Sequence, residues 1–123
     1  MASSIPPKKN TAYAFEFSLT SQADKGLFQD NPTLATGDVK VVLDGTNLGN
    51  ITSLPTAVTG NTRVITVSLA AGEMNGDRVA VIFHDAAGAE WCDETIIIET
   101  AAATLDTRLP SAAAGGAGGI VKL

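Results

Sequence analysis

The chain has 123 residues, enough for one domain, and a formal net charge of −5. Hydrophobic residues make up 45% and charged residues 17%, a balance that a disordered chain does not show. The acidic surplus argues against a nucleic-acid partner, which requires a basic footprint, and against docking on an anionic membrane.

A globular part of this size buries roughly 65% of its unfolded surface, which supports a core without disulfides or metal. Only six residues are aromatic, so the core is expected to rest on Val, Ile, Leu and Ala. Cys92 is the single cysteine; it allows no internal disulfide and fits a reducing place of synthesis. The first ten residues contain no apolar stretch of the secretion-signal kind. Apolar runs fall far short of the ~20 residues a membrane helix needs. The expectation is a soluble protein made in the cytoplasm.

Residues 1–10 read as an N-terminal arm. Pro6-Pro7 favours polyproline II, Lys8-Lys9 keeps the arm solvated, and Ile5 gives it an apolar point. Residues 11–100 read as a β-sandwich domain. In residues 11–19, Tyr13, Phe15, Phe17 and Leu19 alternate with small or polar residues, the pattern of a strand with one face on a core. Residues 20–37 form a long connection rich in turn formers. Leu27, Phe28 and Leu34 are expected to tuck inward and anchor it, and the loop is also a candidate contact surface.

Residues 38–43 predict a second strand, Asp44-Gly45 a hairpin turn, and residues 48–51 a short return strand. Ala57-Val58 starts another short piece. Gly60-Asn61 is a turn. Residues 62–69 are a strand with Ile65, Val67 and Leu69 inward. Residues 70–75 predict one helical turn closed by Gly76.

The stretch from Gly76 to Thr100 is the expected centre. Residues 78–84 are apolar on both faces, Asp85-Ala-Ala-Gly88 reads as a tight turn with Gly88 free to take positive φ, and residues 90–100 return as the second strand. In that return, Trp91 shares a parity with Ile97, while Cys92, Ile96 and Ile98 share the other. The slip at Asp93-Glu94 predicts a β-bulge or a strand crossing. Six or seven short strands with frequent turns predict an all-β fold, an antiparallel Ig-like sandwich with extended N- and C-terminal arms. Residues 101–123 complete the plan as a short helix over 101–109, an Ala/Gly-rich stretch, and an apolar end at Ile120, Val121 and Leu123.

Chemistry-bearing constellations are sparse. His84 beside Asp85 has general-base potential, but no nucleophile motif accompanies it. Cys92 reads as a small buried apolar residue. One Cys and one His are a poor zinc set. Asp85, Glu90, Asp93 and Glu94 gather near the hairpin without calcium-loop spacing and read as a solvated acidic edge. Trp91 is a core or interface residue, with a sugar-stacking platform as the alternative. The glycines at 115–119 lack the Lys and Ser/Thr of a phosphate loop. Catalytic, cofactor and metal assignments are therefore none.

Three blocks carry a resemblance: Phe28-Gln-Asp-Asn-Pro-Thr-Leu-Ala-Thr-Gly-Asp-Val-Lys40, Ser68-Leu-Ala-Ala-Gly-Glu-Met-Asn75 and Asp85-Ala-Ala-Gly-Ala-Glu-Trp-Cys-Asp93. Across roughly residues 10–100 the chain resembles a small Ig-like β-sandwich module of tailed-bacteriophage virion proteins, of tail-fibre, baseplate or decoration type. In such proteins the module is commonly succeeded by an Asp-Thr-Arg-Leu-Pro segment and an Ala/Gly linker, and Asp106 to Pro110 and the glycines after them look similar. The resemblance implies a non-enzymatic virion part, made in the bacterial host cytoplasm, with other capsid or tail subunits as partners, self-association in the assembly, and neither nucleic acid nor membrane. Fibre-like relatives continue where this chain stops at Leu123, which favours a capsid decoration, cement or adaptor subunit over a receptor-binding fibre. A tail or fibre-anchoring component and a glycan-binding module are the alternatives. The expected assembly contacts are Ile5, Pro6, Pro7, Phe28, Trp91, Ile120, Val121 and Leu123.

Overall fold

Val79, Val81 and Phe83 lie on one face of strand β6 (Arg78–Phe83) and are fully buried. Around this strand a computed structural model, which describes residues 6–101, builds two antiparallel sheets. The remaining strands are β1 (Tyr13–Phe17), β2 (Val39–Leu43), β3 (Thr46–Asn50), β4 (Thr56–Val58), β5 (Asn61–Leu69) and β7 (Glu94–Glu99). One sheet has the order β1-β5-β4 and the other β3-β2-β6-β7. With strands lettered in the immunoglobulin manner these are B-E-D against C′-C-F-G, the Greek-key order of an Ig-type sandwich. The all-β, Ig-like expectation holds.

Alternation explains the packing. Val39 and Val41 of β2, Ile65, Val67 and Leu69 of β5, and Ile98 of β7 point into the space between the sheets. Phe17 of β1 stacks on Phe83 of β6 across that space, with ring centroids 5.3 Å apart. Leu34 packs against this cluster from the long β1–β2 connection, as expected.

Turn chemistry matches the sequence closely at Asp44-Gly45. Both residues have positive φ (49° and 83°), the backbone of a two-residue type I′ hairpin between β2 and β3. A bulge between Val41 and Val42, where Gly49 takes φ 91°, was not legible in the sequence. The predicted helical turn is present as a 3-10 helix over Ala71–Met74, whose Glu73 carboxylate accepts the N–H groups of Ala70 (2.8 Å) and Thr52 (3.1 Å).

The central hairpin differs from expectation. Its ladder runs unbroken from Phe83↔Glu94 to Arg78↔Glu99, so no bulge interrupts it. The parity slip instead marks the end of the strand. Residues 84–93 form a ten-residue loop in which Trp91 bridges Ser21, outside the sheet. Ala89, rather than Gly88, takes the positive φ (50°). Gly88 is needed for closeness: a Cβ there would stand 3.0 Å from Asp85 Oδ2.

The N-terminal arm also differs where it is described. Lys8 forms a parallel bridge with Ala101; the Ala101 N–H donates to the Pro7 carbonyl (2.9 Å) and the Lys9 N–H to the Ala101 carbonyl (2.7 Å). Lys9 Nζ reaches Asp77 at 3.2 Å. This half of the arm therefore lies along the domain's own edge instead of extending away from it. Ala101, expected to open a helix, belongs to that bridge. Ile5, Ile120, Val121, Leu123 and residues 102–109 of the expected helix lie outside the described residues.

Candidate functional site

Three connections meet at one end of the sandwich: residues 18–38, the turn at 59–60 and residues 84–93. Backbone bonds tie them together. The Gln22 N–H donates to the Glu90 carbonyl (2.9 Å), the Cys92 N–H to Thr20 (2.9 Å), and the Asn31 N–H to Thr62 (2.8 Å). Arg63 Nη1 donates to the Phe28 carbonyl at 2.9 Å, and the Thr62 hydroxyl to Asp30 Oδ1.

Carboxylates hold this end rigid. Asp38 is 3% exposed; its two oxygens accept the N–H groups of Ala35 (3.0 Å) and Ala86 (3.1 Å), linking the long loop to the β6–β7 loop. Asp85 is 8% exposed and accepts three N–H groups, from Glu90 (2.9 Å), Gly88 (2.9 Å) and Ala87 (3.3 Å). Those donors favour the charged form, so the Asp85 carboxyl is held below its ordinary range. Glu90 accepts from the Thr33 N–H at 2.9 Å, and Glu94 from the Thr20 N–H at 3.3 Å. Of the expected solvated acidic edge only Asp93 is exposed; Asp85, Glu90 and Glu94 are buried or half-buried and, with Asp38, take the place of backbone partners that these loops lack. Among the described residues no three His, Cys, Asp or Glu side chains come together as a metal set.

His84 stands exposed at the neck of the β6–β7 loop. Its Nδ1 is 2.6 Å from Asp93 Oδ1, and this hydrogen bond and charge raise the imidazole above its ordinary value. The pair borders an open depression of about 460 Å³ lined by Gly37, Asp38, Lys40, Ile82 and Ala86 as well. That lining carries no hydroxyl or thiol for the imidazole to activate. Cys92 is half-buried rather than buried, and its thiol donates to Gln22 Oε1 at 3.2 Å.

Trp91 is 2% exposed. A buried indole can neither stack on a sugar nor touch a neighbouring subunit, so the core reading of Trp91 holds and its readings as a sugar platform and as an assembly contact do not. The side chain that should have been inside is outside. Phe28 and Leu27 are each 53% exposed, against the expectation that they anchor the loop. The reason is a small secondary hairpin. Thr20 bridges Phe28, the Ser21 N–H donates to the Leu27 carbonyl (2.8 Å), and the Gln29 N–H to Leu19 (2.6 Å). A turn at residues 24–27, in which Asp24 Oδ1 accepts the Gly26 N–H (3.1 Å), lifts Leu27 and Phe28 away from the core. Leu19 and Trp91 belong to the buried core cluster, whereas Leu27 and Phe28 do not. Of the expected contacts, then, Phe28 is presented outward, Pro6 is exposed, and Pro7 is half-buried beside Ala101.

The scaffold carboxylates Asp38, Asp85 and Glu90, which accept loop backbone N–H groups, are the structural feature of this end that the sequence did not reveal. Asp85 with Gly88 three residues on is an Asx-turn signal that could have revealed one of them. In comparisons with known proteins the chain matches no family model, no curated relative and no solved structure.

Proposed function

We propose that this protein is a non-enzymatic structural component of a tailed-phage virion, a capsid decoration, cement or adaptor subunit that holds neighbouring virion proteins through its loop end and arms. The observation that supports this most is the Leu27–Phe28 tip: two adjacent large apolar side chains, about half exposed, on a loop braced by backbone bonds and by Arg63. A rigid apolar projection loses little entropy on docking and suits a protein contact. The carboxylates nearby serve the loops' own backbone, which fits a presenting scaffold. The phage setting rests on the sequence resemblance. On a repeated lattice each copy need bind only modestly, because multivalency raises the effective concentration.

The test uses particles that lack this protein. Purified wild type is expected to co-sediment with them, Phe28→Ser and Leu27→Ser to bind at least roughly tenfold more weakly, and removal of residues 111–123 to weaken binding further. Full binding by both loop variants would remove the loop end from the reading. Failure of the wild type to bind capsids or tails would remove the virion role.

A further inference from the structure

Strand β7 forms one outer edge of the four-stranded sheet. Its inner neighbour is β6, and among the described residues nothing pairs with its other side until Ala101, where Pro7 and Lys9 bond. The Thr100 N–H points towards β6, donating to the Asp77 carbonyl, whereas the Ala101 N–H points the other way, to Pro7. Alternation along an antiparallel strand then places the N–H and C=O groups of Thr95, Ile97 and Glu99 on the open edge. The same three side chains are exposed on the sheet's outer face, with Ile97 at 54%, while Ile98 is buried and Ile96 packs on the core.

The other edges are poorer. A register shift interrupts β3, and β4 has three residues and a shift of its own. The outward side chains of β1 are Ala14 and Glu16, which offer no large apolar surface. Only β7 combines a regular ladder, a β-branched Thr-Ile-Ile-Ile run and an exposed large apolar side chain.

We infer that β7 is a self-association edge: two copies pair their β7 strands antiparallel about a two-fold axis at Ile97, joining their four-stranded sheets into one. Three constraints set the register. A pairing must keep inward residues opposite inward ones, which restricts the axis to a residue position. An axis at Ile96 sets Asp93 opposite Glu99, two like charges. An axis at Ile98 drives Thr95 against Ala101, whose edge the N-terminal segment occupies. An axis at Ile97 sets Ile97 against itself, Ile96 against Ile98, and Thr95 against Glu99, with no like charges opposed. The unpaired stretch, residues 94–100, is centred on that same residue. The open groups of Thr95, Ile97 and Glu99 all find partners, and the exposed Ile97 gains an apolar neighbour. Closure by the two-fold axis uses up the edge and prevents open-ended stacking. The pairing does not depend on where in a particle the protein sits.

Sedimentation of the full chain from about 1 μM to about 1 mM tests it, since an edge contact of this size belongs at the weak end of specific interfaces. The wild type is expected to show a monomer–dimer equilibrium. Ile97→Lys sets like charges opposite each other and is expected to raise the dissociation constant roughly tenfold or more. Thr95→Lys, which faces Glu99 of the other copy, is expected to tighten the dimer, and Thr95→Glu to loosen it. The urea midpoint of dilute protein serves as the fold control, because both positions are exposed. A monomer throughout, a trimer or ring, a dimer indifferent to Ile97→Lys, or Thr95 variants that shift together would each overturn the inference.

Discussion

Asp85 and Glu90 form a relay: the Glu90 N–H donates to Asp85 Oδ2 at 2.9 Å, while the Glu90 carboxylate accepts the Thr33 N–H at 2.9 Å. One buried carboxylate thus shapes the β6–β7 loop, and the next residue in the chain of bonds clasps the loop opposite. Asp85→Ala is expected to destabilise the domain by about 1–3 kcal/mol, read from urea unfolding at neutral pH, because three N–H groups lose their acceptor. The folded-state carboxyl lies below its ordinary 3.8, so its contribution is present above that value and is lost as pH falls through the folded value. The gap between wild type and variant should therefore narrow in acid. A gap that stays constant from neutral pH to pH 2–3 would contradict this role for the charge.

His84 and Asp93 act in the opposite direction. Asp93 raises the imidazole above 6.5, so the pair contributes stability that is fully present below that pH and is lost as pH rises through the folded value. NMR titration of the single histidine should show the raised midpoint, and Asp93→Asn should bring it back towards 6.5. An unchanged midpoint in that variant would show that Asp93 is not the cause.

Gly76 meets Leu43 too closely for any side chain. A Cβ at residue 76 would stand 2.5 Å from Leu43 Cδ1 and 2.7 Å from Asp44 Oδ2. Asp44 is not free to move, since its Oδ1 accepts the N–H groups of Asp77 (3.0 Å) and Arg78 (2.9 Å). Gly76→Ala is expected to cost about 1–3 kcal/mol in denaturant unfolding, as overpacking does. Unaltered stability would mean that the hairpin end adapts more easily than its bonds suggest.

The exposure of the aromatic residues was half legible. From the sequence Phe28 reads both as a contact and, with Leu27, as an anchor against the core. Burial of a loop side chain depends on what the folded interior admits, and the core takes in Leu19 and Trp91 but neither Leu27 nor Phe28. For Trp91 the sequence left core and interface open, for the complementary reason. Its neighbours in sequence mix charged Glu90 and Asp93 with Ala89 and Cys92, so nothing local distinguishes an indole beneath a loop from one on its surface. The carboxylate scaffold was hidden because its bonds join residues far apart, as Asp38 joins Ala86.

Sequence alone determined the class of fold, the inward faces of β1 and β5, and the Asp44-Gly45 turn. These rest on local physics: side chains alternate along a strand, and few residues tolerate positive φ. Tertiary structure decided the rest. Where β7 begins, which strand carries an open edge, which carboxylates vanish into the loops and which aromatic residue faces water all depend on what each segment meets across the sandwich, and no local pattern encodes the identity of a distant neighbour.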